Sequence, residues 1–190
     1  MKEELSLQYL LKRNTINIFG DIDDEMSNMV VSQIQYLVDN GAKEITIQIN
    51  SRGGSVTAGL AIYDTLNYVD ARIITVGIGI CASMGAFLLS AGSKGYRRAT
   101  QNCEILIHQP LGGVSGQASD IILAADHIKK IRYKLNKILS ENTGQSLKKI
   151  EKDTDRDNSM TADEAKSYGL IDNVIECKNK ARGDLWWKIY

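Results

Sequence analysis

The chain alternates between short apolar segments and longer segments whose apolar residues have helical spacing. Residues 44–50 have isoleucine at every second position, which predicts a strand with one buried face. A turn is predicted over residues 51–55, and residues 56–68 then have the pattern of a helix. Three further segments continue the alternation as strand, helix and strand: 72–80, 83–91 and 104–108. Repeated strand–turn–helix segments predict an α/β fold with mostly parallel strands.

Two longer segments also have apolar residues at helical spacing, residues 23–40 and residues 119–142. The second is the longest predicted helix, with charged residues opposite its apolar stripe. That stripe consists of Ile121, Ala125, Ile128, Leu135 and Leu139. Thr161 and Glu164 have the spacing of a capping box, which predicts a short helix that Gly169 can end.

Length and composition indicate one globular domain that spans residues 1–190, because 43% of the residues are hydrophobic. Lysine plus arginine equals aspartate plus glutamate, so the net charge predicts no attraction to nucleic acid or to an anionic membrane. The charged N-terminus predicts no signal peptide, and no apolar run reaches the length of a membrane span. We therefore expect a cytoplasmic protein.

The cysteines have no paired spacing that would indicate a disulfide framework or a zinc site. There are three of them, Cys81, Cys103 and Cys177. We expect reduced, buried cysteines and no metal site.

Ser83 is the candidate for nucleophilic chemistry. It lies between small residues, after a predicted buried strand and at the start of a predicted helix. This is the context of a nucleophile elbow, although Cys81 occupies the first glycine position of the usual motif. The alternative is that Ser83 only caps the helix, which is the commoner role of a serine at this place, or that these small residues only let the helix pack closely.

A serine nucleophile needs a base, and the chain has two histidines. His108 ends an apolar strand that would aim its side chain, whereas His127 lies on the edge of the long helix. The alternative for His108 is a buried histidine bonded to a backbone carbonyl. Gly53 and Gly54 follow a strand and could give N–H groups to an oxyanion, or could simply form a turn.

Spacing alone does not select the acidic residue that would orient the histidine. The aspartates after His108 that could do so are Asp120, Asp126, Asp153, Asp155, Asp157, Asp163 and Asp172.

At these residues the chain closely resembles the family of Clp protease proteolytic subunits (ClpP), from about Ile16 to Ile175. The matching segments are 49–56, 62–64, 82–85, 107–113, 143–146 and 153–157. The resemblance implies that Ser83 is the nucleophile, His108 the base and Asp157 the orienting acid. It also implies an oxyanion hole made by the N–H groups of Gly54 and Met84.

The resemblance further implies a crotonase-like spiral of strand–turn–helix units with a protruding handle helix. The implied activity is that of a serine endopeptidase that hydrolyses unfolded polypeptides inside a chamber of two stacked seven-membered rings. An ATP-driven unfoldase would feed this chamber, and no cofactor would be needed. Gly112, Gly113 and Val114 would pair with the substrate, and Asp155 and Arg156 would contact the other ring.

Three departures from the family pattern indicate a divergent paralogue. Arg52 replaces the usual proline beside the oxyanion glycine, the segment before Ile16 is short, and Trp186 and Trp187 lie in an unexplained tail. Two alternative functions follow. The chain could be a weakly active or structural subunit that assembles with a second paralogue, or a coenzyme A-dependent hydratase or isomerase of the crotonase type.

Overall fold

The structure is a computed structural model that describes residues 2–176, with the backbone alone for residues 2–5. Its strands are β1 (Thr15–Ile22), β2 (Glu44–Gly54), β3 (Arg72–Ala82), β4 (Arg97–Thr100), β5 (Glu104–Ile107), β6 (Asn158–Met160) and β7 (Asn173–Ile175). Its helices are α1 (Lys2–Leu11), α2 (Asp24–Asp39), α3 (Val56–Tyr68), α4 (Met84–Ser90), α5 (Ala118–Thr143), α6 (Leu147–Asp153) and α7 (Ala162–Tyr168).

The strands form one sheet in which parallel pairing dominates. Its main path runs β1-β2-β3-β4-β7, and every pair along that path is parallel. β5 pairs in parallel with the carboxyl end of β3, beyond the residues that pair with β4, and β6 pairs with β5 antiparallel. The prediction of an α/β fold with mostly parallel strands is therefore confirmed.

The core lies between this sheet and the helices that cover it. Alternate residues of β2 are fully buried, among them Ile45, Ile47 and Ile49. The buried face of α2 contributes Val30, Ile34 and Leu37 to the same cluster. Each fully buried side chain of this kind adds about 1.5–3 kcal/mol, so the alternation visible in the sequence contributes directly to stability.

The predicted helices are observed with their boundaries within about a residue. Thr161 and Glu164 form the predicted capping box of α7, and Gly169 ends this helix in the left-handed conformation. The predicted turn over residues 51–55 is wrong, because β2 continues to Gly54 and only Ser55 caps the next helix. The elements α1, β1, β4, α6, β6 and β7 were not predicted.

The apolar stripe of α5 is buried only in its second half. Leu135 and Leu139 are buried, whereas Ile121, Ile122 and Leu123 have exposures of 42%, 62% and 69%. The first half of α5 thus extends away from the core with apolar residues uncovered, which is the predicted protruding helix.

Two predictions about the C-terminal end lie outside the described residues, those on Cys177 and on the tryptophan-containing tail. Cys81 and Cys103 are buried free thiols, as expected. In the described part of the chain, no helix is long and apolar enough to span a membrane.

Candidate active site

Ser83 occupies a sharp, strained turn between β3 and α4. Its φ and ψ are 54° and −120°, and Asn14 is the only other described non-glycine residue with a positive φ. Such a conformation costs on the order of 1–3 kcal/mol and persists only where the surrounding structure imposes it. The Ser83 side chain makes no capping hydrogen bond to α4. Ser83 is therefore at the N-cap position of α4, as the alternative interpretation expects, but its side chain does not cap the helix.

Backbone hydrogen bonds and small neighbours hold this turn in place. The Ser83 N–H donates to the Leu106 carbonyl oxygen over 2.9 Å, and the Phe87 N–H donates to the Ser83 carbonyl oxygen. A Cβ atom at Gly85 would lie 2.7 Å from the Ser51 carbonyl oxygen, so only glycine allows α4 to pack this closely on β2.

The end of β2 lies directly against the Ser83 turn. Gly53 has a φ of +100°, and a Cβ atom there would lie 2.7 Å from the Ser83 Cβ and 3.0 Å from the Met84 nitrogen. Gly54, with a φ of +151°, is packed equally tightly against the backbone of Ile22. The backbone segments that carry the N–H groups of Gly54 and Met84 are therefore neighbours.

His108 follows β5 directly, and strand register brings it to the same edge of the sheet. β3 and β5 are parallel with Ala82 opposite Leu106, so Ser83 and His108 both lie just beyond the carboxyl ends of adjacent strands. Both residues line one narrow cavity of about 30 Å³. The Ser83 Oγ atom makes no hydrogen bond to His108 in the described part of the chain. His127 is exposed on the protruding half of α5 and does not line this cavity.

Asp157 is brought beside His108 by the antiparallel pairing of β5 and β6. Ile107 pairs with Asn158, which places the residue after Ile107 next to the residue before Asn158. His108 Nδ1 lies 3.7 Å from Asp157 Oδ1, with side-chain exposures of 15% and 78%. The distance allows an electrostatic contact but is longer than a hydrogen bond.

Several other candidate aspartates are engaged elsewhere in the chain. Arg97 binds Asp172, Arg132 binds Asp155, and Lys129 binds Asp126. Burial acts to raise the pKa of Asp153, but hydrogen bonds from Lys149 and Tyr168 outweigh it and hold this pKa below its usual value.

Asp155 links three parts of the chain around the site. Arg132 of α5 donates to its carboxylate over 3.1 Å, and the Gln109 side chain donates to its backbone oxygen over 2.7 Å. The Asp157 segment is thereby attached both to α5 and to the residue after His108. Arg156 is exposed, with no hydrogen bond or ion pair to the described residues.

The segment from Gly112 to Val114 is exposed and belongs to no helix or strand. Gly112 lies against α5, where a Cβ atom would be 2.9 Å from the Ile128 Cδ1. Residues 111–116 make no backbone hydrogen bond to the described part of the chain. Their N–H and C=O groups are therefore available to an extended ligand.

Asn136 was not among the residues predicted from the sequence, and it lines the cavity shared by Ser83 and His108. It is buried, its Oδ1 accepts a hydrogen bond from Thr154, and its Nδ2 has no partner among the described residues. The available signal was a polar residue beside the apolar stripe of α5.

Arg52 is exposed and makes no polar side-chain contact with the described residues.

The described residues contain no group of three or more histidine, cysteine, aspartate or glutamate side chains placed to hold a metal ion. The site can instead offer a serine hydroxyl, an imidazole, a carboxylate and backbone donors. These are the groups that acyl transfer requires.

The model of the Clp protease family matches residues 2–178, which is most of the chain. The parallel-rich sheet with its covering helices is consistent with the crotonase-like fold of ClpP proteins. Family membership implies, in general terms, a peptidase that assembles with copies of itself and works with an unfoldase. On the match over residues 2–178, the chain belongs to the Clp protease family.

Proposed function

We propose that the chain is a serine endopeptidase that uses Ser83, His108 and Asp157 to hydrolyse peptide bonds. The observation that carries this proposal is the strained turn at Ser83, which opens into the same narrow cavity as His108. A positive φ at a non-glycine residue costs free energy, and packing alone gives no reason for this conformation at Ser83.

The reaction follows from the position of each group. His108 accepts the proton of the Ser83 hydroxyl while Oγ attacks the carbonyl carbon of the scissile bond. The negative charge on the carbonyl oxygen is stabilised by the N–H groups of Gly54 and Met84. His108 then gives the proton to the leaving amine, and water hydrolyses the acyl-enzyme by the same steps. Asp157 orients the imidazole and stabilises its charged form.

The substrate in this proposal is an extended, unfolded polypeptide. The unpaired backbone of Gly112, Gly113 and Val114 supports this, because an extended chain can add to it as a strand. A folded domain could not enter a cavity this narrow. The Asn136 Nδ2 group can donate a hydrogen bond to the substrate side chain that occupies the cavity.

Assembly into two stacked seven-membered rings is part of the proposal. The uncovered apolar residues Ile122 and Leu123 on α5 support it, since exposed apolar groups on one helix mark an interaction surface. Arg156 is free to contact the opposite ring, whereas Asp155 is already bonded to Arg132 of its own chain. An ATP-driven unfoldase would deliver substrates to the cytoplasmic chamber, and the hydrolysis itself needs no cofactor.

The test is labelling with a serine-reactive fluorophosphonate, read by intact mass, with oligomer size measured on the same samples. We expect one adduct on the wild-type chain and none on Ser83→Ala at unchanged oligomer size. Ser32→Ala, an exposed serine on α2, is the matched control and should label like the wild type. An adduct retained in Ser83→Ala would overturn the assignment of the nucleophile. A fully assembled wild-type ring without an adduct would identify a structural subunit.

A further inference from the structure

Two buried cysteines lie in contact beside the candidate active site. The sulfur atoms of Cys81 and Cys103 are 3.9 Å apart, and both residues are almost fully buried. A β-bulge produces this contact. Along β2 and β3, Ile49 pairs with Gly77 but Ser51 pairs with Cys81, so two extra residues of β3 are looped out.

Gly77 provides the space in which the two sulfur atoms meet. A Cβ atom at this position would lie 3.1 Å from the sulfur of Cys81 and 3.1 Å from the sulfur of Cys103. Any larger residue would push the thiols apart. The pair therefore depends on the bulge and on the missing side chain, neither of which follows from the spacing of the cysteines.

The two thiols have different chemical surroundings. Cys81 donates to the Ile49 carbonyl oxygen over 3.3 Å. The hydrogen bond with Cys103 raises the pKa of Cys81, and burial raises it further. The hydrogen bond with Cys81 lowers the pKa of Cys103, although burial and Glu104 act in the opposite direction. The thiolate is the form that reacts with oxidants, so which thiol reacts first also depends on access from solvent.

Cys103, unlike Cys81, lines a cavity that opens to solvent. It lines an open cavity of about 460 Å³ whose wall includes Gln101, Ser159 and Glu164. This cavity is separate from the one that Ser83 and His108 share. Cys81 does not line this cavity, and Cys103 is 2% exposed, so a small peroxide would meet Cys103 before Cys81.

We propose that Cys81 and Cys103 form an intramolecular disulfide when the protein meets a peroxide, and that this disulfide lowers peptide hydrolysis. The Cys103 thiolate attacks one peroxide oxygen, the O–O bond breaks, and the products are a sulfenic acid and water after protonation. The Cys81 sulfur then attacks the sulfenic sulfur, its S–O bond breaks, and a second water leaves. Peroxide is reduced to two waters as the two thiols are oxidised.

The effect on hydrolysis rests on the proposed function, because the two cysteines flank its reacting groups. Cys81 precedes Ser83 by two residues on β3, and Cys103 precedes the strand that ends beside His108. A disulfide requires the sulfur atoms to approach from 3.9 Å to about 2.05 Å. That movement draws the Ser83 turn away from its hydrogen bond to Leu106 and changes the position of Oγ relative to His108.

The experiment uses the full chain carrying Cys177→Ser, so that only this pair of thiols remains. It is treated with hydrogen peroxide at a concentration that oxidises free cysteine in the same buffer, and is then digested without reductant. We expect a cross-linked peptide pair that lacks two hydrogen atoms and that dithiothreitol separates. Fluorophosphonate labelling of the oxidised protein should slow by about 10²-fold, because a small displacement of reacting groups has an effect of this size. The labelling rate should recover on reduction.

Cys103→Ser in the same background is the control, and its labelling rate should not respond to peroxide. The absence of the cross-linked pair would overturn the proposal. A cross-link that leaves labelling unchanged, or an equal loss of labelling in Cys103→Ser, would overturn the regulatory role. The peptide masses are read whether or not Ser83 labels, so a failure of the proposed function is distinguishable from a failure of the disulfide.

Discussion

His108 Nδ1 and Asp157 Oδ1 lie 3.7 Å apart, a separation at which the carboxylate attracts the imidazole without accepting its hydrogen. The carboxylate is 78% exposed, so water still solvates most of it. Gln109 and Arg132 both bind Asp155, two residues before Asp157. The segment that carries Asp157 is therefore attached to α5 and to the residue after His108.

Asp157→Asn should lower peptide hydrolysis by about 10²- to 10⁴-fold, because the amide stabilises neither the correct imidazole tautomer nor its charged form. The melting temperature should stay the same, since the carboxylate is mostly exposed and has no hydrogen bond to the described residues. Steady-state hydrolysis of a fluorogenic peptide measures the rate. Asp70→Asn, an exposed aspartate in the turn before β3, should leave that rate unchanged. A wild-type rate of peptide hydrolysis in Asp157→Asn would show that this residue takes no part in catalysis.

Gly53→Ala should abolish labelling of Ser83, because the new methyl group would lie 2.7 Å from the Ser83 Cβ and displace the strained turn. Gly41→Ala is a matched control. Gly41 also has a positive φ, +83°, but has nothing within 4 Å of the position of a Cβ. Both variants should lose about 1–2 kcal/mol of stability from backbone strain, and only Gly53→Ala should stop labelling. Equal labelling in the two variants would contradict the close packing of β2 on the Ser83 turn.

Asp172→Asn should lower the free energy of unfolding by about 3 kcal/mol at neutral pH, because it leaves the buried Arg97 guanidinium without its charged partner. Chemical denaturation measures this loss. Glu44→Gln removes a partner from the exposed Arg72–Glu44 pair and should cost less than about 1 kcal/mol.

The same pair predicts a dependence of stability on pH. Burial acts to raise the pKa of Asp172, but hydrogen bonds from Arg97 and Gly95 outweigh it and hold this pKa below its usual value. A lowered pKa contributes stability that is complete above the unfolded-state value of about 3.9 and disappears as the pH falls through the folded-state value. The difference between wild type and Asp172→Asn should therefore shrink below about pH 4. A difference that does not change with pH would contradict an ionised, paired Asp172.

Local patterns predicted the elements that have a clear periodic or capping signal. The isoleucine alternation in β2 and the capping box of α7 are local signals, and both elements were found where expected. β6 and β7 have only three residues each, so their extended conformation comes from pairing with β5 and β4 rather than from their own composition. The predicted turn at 51–55 failed because β3 pairs with β2 as far as Ser51 and β1 pairs with it as far as Gly54, which keeps this segment extended.

The sequence by itself determined the fold class, the groups available for chemistry and, through its motifs, the resemblance to one family. These depend on residue types and local spacing, which the chain displays without folding. Only the tertiary structure decided which groups meet. The register of β3 with β5 and of β5 with β6 brings Ser83, His108 and Asp157 to one edge of the sheet, and the β3 bulge brings Cys81 against Cys103. Pairing register and bulges arise from hydrogen bonds between distant segments, and no local pattern contains them.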